Sequence, residues 1–83
     1  MKYIMFEDGS QLPHPVLFSD LIDHSTMSEM VQSKKAYLNP VSAGKVNQDD
    51  AGEIYAGGSS FTLDLKSRKE DTEVIRRSLS PYF

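Results

Sequence analysis

The absence of cysteine from a chain of only 83 residues limits what can hold its fold together. A domain near this size buries a small core, which typically leaves about 3–5 kcal/mol of net stability unless something reinforces it. Without cysteine there are neither disulfides nor thiolate zinc sites, and two histidines are too few to make a structural metal the expected support. We therefore expect one domain, residues 1–83, in a reducing cytoplasm and reinforced by homo-oligomerisation.

Two β-forming runs near the start predict a hairpin. Residues 2–6 are rich in β-formers, and residues 16–18 form a second apolar run. The pair Asp8-Gly9 between them is a strong turn signal. Pro13 and Pro15 cannot donate to a sheet ladder, so we expect the returning strand at an edge of the sheet.

The next segment, residues 20–35, has the pattern of an amphipathic helix. Thr26 and Glu29 have the spacing of a capping box at its start, and Ser25 or Asp23 is the alternative cap. Helical spacing places three apolar residues on one stripe, namely Met27, Met30 and Val31. No apolar stretch approaches the roughly 20 residues that a membrane-spanning helix needs, so we expect no membrane association.

Three strands and a helix are predicted after this segment. Residues 36–46 contain Asn39-Pro40 and Gly44, which predicts a kinked or bulged strand, and residues 53–56 and 61–66 predict two more. Ser67 with Glu70 has the spacing of a second capping box, and Pro81 should end that helix. The order predicts an α+β domain: a small, mainly antiparallel sheet of four to five strands with two helices packed on one face.

The Gly-Gly-Ser-Ser segment, residues 57–60, is the sharpest local feature. Glycines let backbone N–H groups converge on an anion, and serine hydroxyls add donors. A phosphate loop, however, ends in Lys and opens a helix, whereas this segment precedes a predicted strand and lacks Lys. The favoured interpretation is a hairpin turn, with anion binding as the alternative.

Catalytic and metal chemistry find little support in the sequence. Asp20, Asp23, His24 and His14 lie near one another in the chain, but prolines and a helix start intervene, so we expect neither a metal site nor a cofactor. There is no cysteine nucleophile and no serine in a Gly-x-Ser-x-Gly elbow. We therefore expect a non-enzymatic protein.

Charge is distributed unevenly along the chain. Residues 1–33 carry a single lysine and five acidic residues, which are Glu7, Asp8, Asp20, Asp23 and Glu29. If these converge, they form an acidic face that attracts basic protein surfaces and repels nucleic acid. The short basic clusters at residues 66–69 and 76–77 do not form the basic stripe with interleaved aromatics that a nucleic-acid surface needs, so direct nucleic-acid binding is not expected.

Two stretches, "NPVSAGKV" at residues 39–46 and "LDLKSRKEDTEVIRRSLS" at residues 63–80, resemble a loose group of small accessory proteins of tailed phages and prophages. The resemblance covers about half the chain, and Lys45 stands where an aromatic residue is expected. The group has no established activity, so no functional residue is carried over. The resemblance implies a setting in the cytoplasm of a bacterial host cell, with a host protein as the partner.

Two function hypotheses follow, besides a structural or assembly role. The first is a protein that binds and blocks a host protein such as a defence complex, in the manner of anti-CRISPR inhibitors, through the acidic face. The second is an oligomeric sponge that sequesters a phosphorylated nucleotide signal of host defence. Its expected contacts are Ser42, Gly44, Lys45, Ser59, Ser60, Arg68, Arg76 and Arg77.

Overall fold

A four-stranded antiparallel sheet lies at the centre of the fold. The computed structural model describes residues 1–79 of the chain. The strands lie side by side in the order β2-β1-β3-β4, and a two-stranded ribbon, β5 with β6, lies beside them. The elements in chain order are β1 Lys2–Glu7, β2 Pro13–Phe18, α1 His24–Lys34, β3 Asn39–Gln48, β4 Ile54–Gly57, β5 Ser59–Ser60, β6 Leu65–Lys66 and α2 Asp71–Leu79. The predicted α+β class is confirmed.

The two helices cover opposite faces of this sheet, because the central strand β1 is apolar on both. Ile4 and Phe6 face α1, where they pack with Met27 and Val31. Tyr3 and Met5 point the other way and pack against Ile75 of α2. The expectation that both helices share one face is therefore wrong. An unbroken apolar run such as residues 3–6 belongs to a strand that needs cover on both sides.

The predicted N-terminal hairpin is confirmed, and β2 is an edge strand. In an antiparallel pair, the backbone groups of alternate residues point toward the partner strand. Pro13 and Pro15 share one alternation and pair with Glu7 and Met5. Having no N–H, they occupy the positions that face away from β1, so the open edge of β2 offers few donors to another strand.

The opposite edge, β4, is covered by side chains of α2. The Ala56 N–H donates to Thr72 Oγ1 at 2.9 Å, and the Ile54 carbonyl accepts from Arg76 Nε at 2.6 Å. These two backbone groups point away from β3, at the open edge of β4. Side chains of α2 therefore form the hydrogen bonds that a fifth strand would form there. Both edges of the sheet are thus protected against strand addition.

Strand β3 carries the predicted bulge. Met5 pairs with Ser42, whereas the next residue, Phe6, pairs with Pro40, so Val41 is the extra residue. A bulge bends its strand and changes the local twist. Ser42, paired with Met5 next to the bulge, lies on the α2 face of the sheet, where its side chain meets the start of α2.

The predicted strand over residues 61–66 is wrong. Residues 61–64 form a turn, with Phe61 99% exposed, and only Leu65–Lys66 is a strand. The Leu63 N–H donates to Ser60 Oγ at 3.2 Å, which closes the turn in the manner of serine turns. The predicted hairpin turn at residues 57–60 is also displaced: Gly57 ends β4, Gly58 has φ 78°, and Ser59–Ser60 is β5.

Both helices begin at other residues than the capping boxes predicted. Helix α1 begins at His24 after Asp23, whose side chain makes no capping hydrogen bond. Helix α2 begins at Asp71, and its carboxylate accepts the Arg68 N–H at 2.9 Å, which replaces the predicted Ser67–Glu70 pair. The predicted stop at Pro81 lies outside the described residues. Neither helix of residues 1–79 is long and apolar enough to cross a membrane.

Gly44 in β3 lies where a side chain has no room. A Cβ there would collide with the Gly57 carbonyl and press on the Tyr3 ring. We predict that Gly44→Ala lowers the free energy of unfolding by about 1–3 kcal/mol through overpacking, measured by urea denaturation. Gly57→Ala is the matched control, because a Cβ at Gly57 meets nothing within 4 Å. Equal urea midpoints for the two variants would contradict this prediction.

Candidate functional site

The carboxylate of Asp71 is fully buried at the start of α2 and accepts four hydrogen bonds. Oδ2 accepts from the Tyr3 hydroxyl at 2.7 Å, from Ser42 Oγ at 2.6 Å and from the Arg68 N–H at 2.9 Å. Oδ1 accepts from Arg68 Nε at 3.2 Å. These donors come from β1, β3 and the turn before α2, so one charged group joins three segments.

Arg68 extends this network toward the surface. Its Nε also lies 3.1 Å from Ser42 Oγ, and its Nη1 donates to Glu7 Oε2 at 3.4 Å. Burial opposes the charge on Arg68, but the negative charge of Asp71 and the hydrogen bond to Glu7 outweigh it and raise the pKa of the guanidinium. Burial, followed by the hydrogen bond to Asp71 and its negative charge, raises the pKa of the Tyr3 phenol far above its ordinary value.

This cluster has the chemistry of an anion-binding site, with hydroxyls, a backbone N–H and a guanidinium pointing at one centre. The centre is filled by the chain's own carboxylate. Ser42 and Arg68, two of the residues expected to bind a nucleotide, are therefore brought together around Asp71. In this arrangement their donors are engaged in holding the fold.

The other expected nucleotide contacts do not form one site within the chain. Gly44 is buried beneath the Tyr3 ring, and Ser60 Oγ accepts from the turn. Arg76 donates to the Ile54 carbonyl and lies 3.9 Å from Glu53, and Arg77 donates to Glu73 at 3.4 Å. The two remaining positions are exposed strand residues, Lys45 and Ser59.

The structure does not bring all five acidic residues of the N-terminal third together. Glu7 and Asp20 lie toward opposite ends of the β1–β2 hairpin, where Glu7 pairs with Pro13 and Lys2 with Phe18. Glu7 contacts Arg68, and Asp20 lies 3.1 Å from the N-terminal ammonium. The hydrogen bond to that ammonium lowers the pKa of Asp20.

The remaining three acids have separate surroundings. Asp8 organises the hairpin turn: its Oδ1 accepts from the Ser10 N–H at 2.8 Å and its Oδ2 lies 2.8 Å from His14 Nε2. The hydrogen bond from His14, and next that from Ser10, lower the pKa of Asp8. Asp23 precedes α1, and Glu29 is exposed on that helix.

The two histidines are likewise engaged in the fold. His24 is buried, donates from Nε2 to the Gly44 carbonyl at 3.0 Å and meets the Phe18 ring edge-on at 5.4 Å between centroids. His14 contacts Asp8. Within the described part of the chain, no three His, Asp or Glu side chains lie close enough together to hold a metal ion.

A groove of about 590 Å³ lies between the edge strand β2 and helix α1. We call it the β2–α1 groove. Its lining is mainly apolar, with lysines at one end and no acidic residue. The lining residues are Pro13, His14, Pro15, Val16, Met27, Met30, Val31, Ser33, Lys34, Lys35 and Leu38.

Exposed apolar side chains accompany the groove. Met30 lines it and is 54% exposed, and Leu12 and Tyr37, which adjoin lining residues in the chain, are also exposed. The sequence predicted Met27, Met30 and Val31 as one apolar stripe, and of these three Met27 and Val31 pack against the buried core. The missed signal was an apolar stripe on α1 broader than the core needs, next to a strand kept at the sheet edge by its prolines.

Comparison with known proteins adds no relative: no family model, curated protein or solved structure matches the chain.

Loss of the Asp71 carboxylate should be far more damaging than loss of one donor. We predict that Asp71→Ala costs about 3–5 kcal/mol, because it leaves Arg68 without its main partner and two buried hydroxyls without an acceptor. Tyr3→Phe should cost only about 0.5–1.5 kcal/mol, since it removes a single hydrogen bond. Urea denaturation followed by circular dichroism measures both. Similar losses for the two variants would show that Asp71 is not the centre of the network.

The raised pKa of Tyr3 has a consequence for alkaline stability. A raised folded-state pKa contributes stability that is present below the ordinary tyrosine pKa of about 10 and is lost as pH rises above it. We predict that native Tyr3 stays protonated at about pH 11, where exposed tyrosines ionise. Tyr3→Phe should therefore leave the ionisation signal of the native protein near 295 nm unchanged and reduce that of the urea-unfolded protein. A smaller native signal in Tyr3→Phe would contradict the prediction.

Proposed function

We propose that this chain is a non-enzymatic binding protein that recognises another protein through the β2–α1 groove and acts by occluding the bound segment. The observation that carries the proposal is an open apolar groove accompanied by exposed apolar side chains. Exposed apolar patches with a polar rim are typical of protein-interaction sites. Met27 and Met30 supply flexible, polarisable side chains of the kind that adaptable binding surfaces use.

The resemblance to phage and prophage accessory proteins supports a bacterial host protein as the partner to test first. A blocked defence complex is the specific form of this proposal, and a structural or assembly role is its main competitor. Both roles require a protein partner, so the identity of the partner separates them. The groove replaces the acidic face as the proposed contact surface, because Glu7 and Asp20 lie toward opposite ends of the β1–β2 hairpin.

The nucleotide-sponge alternative receives less support. Of its expected contacts, Ser42 and Arg68 bind Asp71, and Gly44 is buried beneath Tyr3. A nucleotide would have to displace the chain's own carboxylate or rely on exposed residues such as Lys45 together with a second copy. Neither arrangement is favoured by an observation on the described residues.

A photo-crosslinking residue at position 30 tests the proposed function in bacterial host cells. Met30 is 54% exposed and lines the groove, so a benzoyl-phenylalanine there keeps an apolar side chain at the contact surface. Phe61, 99% exposed and outside the groove, is the matched control position. We predict a crosslink to one host protein from position 30 and none from position 61, measured by mass spectrometry of the crosslinked product.

Three outcomes would count against the proposal. Equal crosslinking from both positions would indicate general stickiness of exposed apolar residues. Crosslinks from position 61 alone would place the contact surface elsewhere. A crosslink from position 30 only to a second copy of the chain would make the groove a self-association surface.

A further inference from the structure

We infer that the segment bound in the β2–α1 groove is an amphipathic α-helix whose apolar stripe is flanked by acidic residues. This inference rests on the proposed function and names the chemistry of its partner. It follows from two properties of the groove walls: the missing backbone donors of β2 and the unpaired lysines at the end of α1.

The backbone of β2 argues for a helix and against an added strand. A strand that binds at a sheet edge gains most of its affinity from main-chain hydrogen bonds. Three residues of β2 have backbone groups that point away from β1, namely Pro13, Pro15 and Leu17. The two prolines have no N–H, so Leu17 is the one donor at this edge. A helix satisfies its own backbone and presents only side chains, so it loses nothing at this edge.

The shape and lining of the groove fit such a helix. One wall is α1, with Met27, Met30 and Val31 on a single stripe, and the other is the apolar side of β2 around Val16. A groove of about 590 Å³ open to the surface accepts a row of large side chains rather than enclosing a small molecule. Helices bound in this manner present apolar residues at positions i, i+3 or i+4, and i+7.

The charges at the rim argue for acidic flanks. Lys34 and Lys35 are exposed lining residues at the end of α1, and within residues 1–79 neither forms an ion pair. His14, the third basic side chain of the lining, already contacts Asp8. No lining residue is acidic, so a partner with carboxylates beside its apolar stripe meets attraction at the rim and no repulsion.

The same lysines argue against a second copy of the chain as the occupant. A two-fold interface is built from the same patch on both copies. If the groove faced its own symmetry mate, the lining of the other copy would offer Lys34 and Lys35 no carboxylate, because no lining residue is acidic. Such an interface would bring four lysines together without a partner of opposite charge, which opposes association.

Selection from a random peptide library tests the inference with the full chain. Peptides of about 15 residues, enough for roughly four helical turns, are displayed and selected on the wild-type protein. Those that also bind Met30→Asp are discarded, which leaves peptides that need the groove. We expect the remainder to carry apolar residues at helical spacing with Glu or Asp beside them. Their helicity should rise on binding, measured by circular dichroism.

A charge-reversal pair tests the acidic flanks separately. In the double variant K34E/K35E, we expect acidic peptides to bind about tenfold more weakly and peptides with Lys in place of Glu to bind about tenfold more tightly. The double variant K66E/K69E changes the net charge equally at exposed residues outside the groove and should leave both affinities unchanged. Thermal unfolding of each variant confirms that its fold is intact.

The outcomes separate this inference from the proposed function. Groove-dependent peptides with alternating apolar residues, with proline-rich sequences or with basic flanks would overturn the acidic helix and leave a protein-binding groove in place. No groove-dependent peptide on a folded protein would count against both. A wild-type dimer that Met30→Asp converts to monomer would overturn both in favour of self-association.

Discussion

The buried carboxylate of Asp71 is the interaction on which the rest of this structure depends. It joins the first strand, the bulged strand β3 and the start of the last helix, through partners 68 and 29 residues away in the chain. A lone buried charge would be destabilising, but four hydrogen bonds and the guanidinium of Arg68 compensate for its lost hydration. In a small chain without cysteine, this network ties the first strand to the start of the last helix as a disulfide does in secreted domains.

That constraint also decides which residues are left for function. The hydroxyls and guanidinium that resemble a phosphate site donate to the internal carboxylate, and α2 covers the edge of β4. The opposite side of the molecule is built differently: α1 covers the sheet only in part and leaves an apolar groove beside an edge strand that cannot accept another strand. One half of the fold therefore serves stability, and the other presents a surface for binding.

Local patterns predicted much of this fold, and long-range contacts account for what they missed. The N-terminal hairpin, the edge position of β2 and the bulge in β3 follow from turn residues and prolines at known spacings. The role of Asp71 cannot be predicted from such patterns, because a carboxylate in the first turn of a helix is common on exposed helices as well. Alternation over residues 61–66 was misleading, since Leu63 and Leu65 pack against the core from a turn and a two-residue strand while Phe61 is exposed. The groove was missed because its stripe on α1 is indistinguishable in sequence from a stripe that is buried.

An amide chemical-shift map of the full chain, recorded while an acidic amphipathic helical peptide is added, tests the division between these two halves most directly. The account predicts that shifts cluster in residues 13–16 and 27–38, which contain the groove lining, and that the amides of Ser42 and Arg68 stay unchanged. Shifts centred on Ser42, Arg68 and Arg76, with the groove unaffected, would contradict it. They would show that the network around Asp71 opens to bind a ligand.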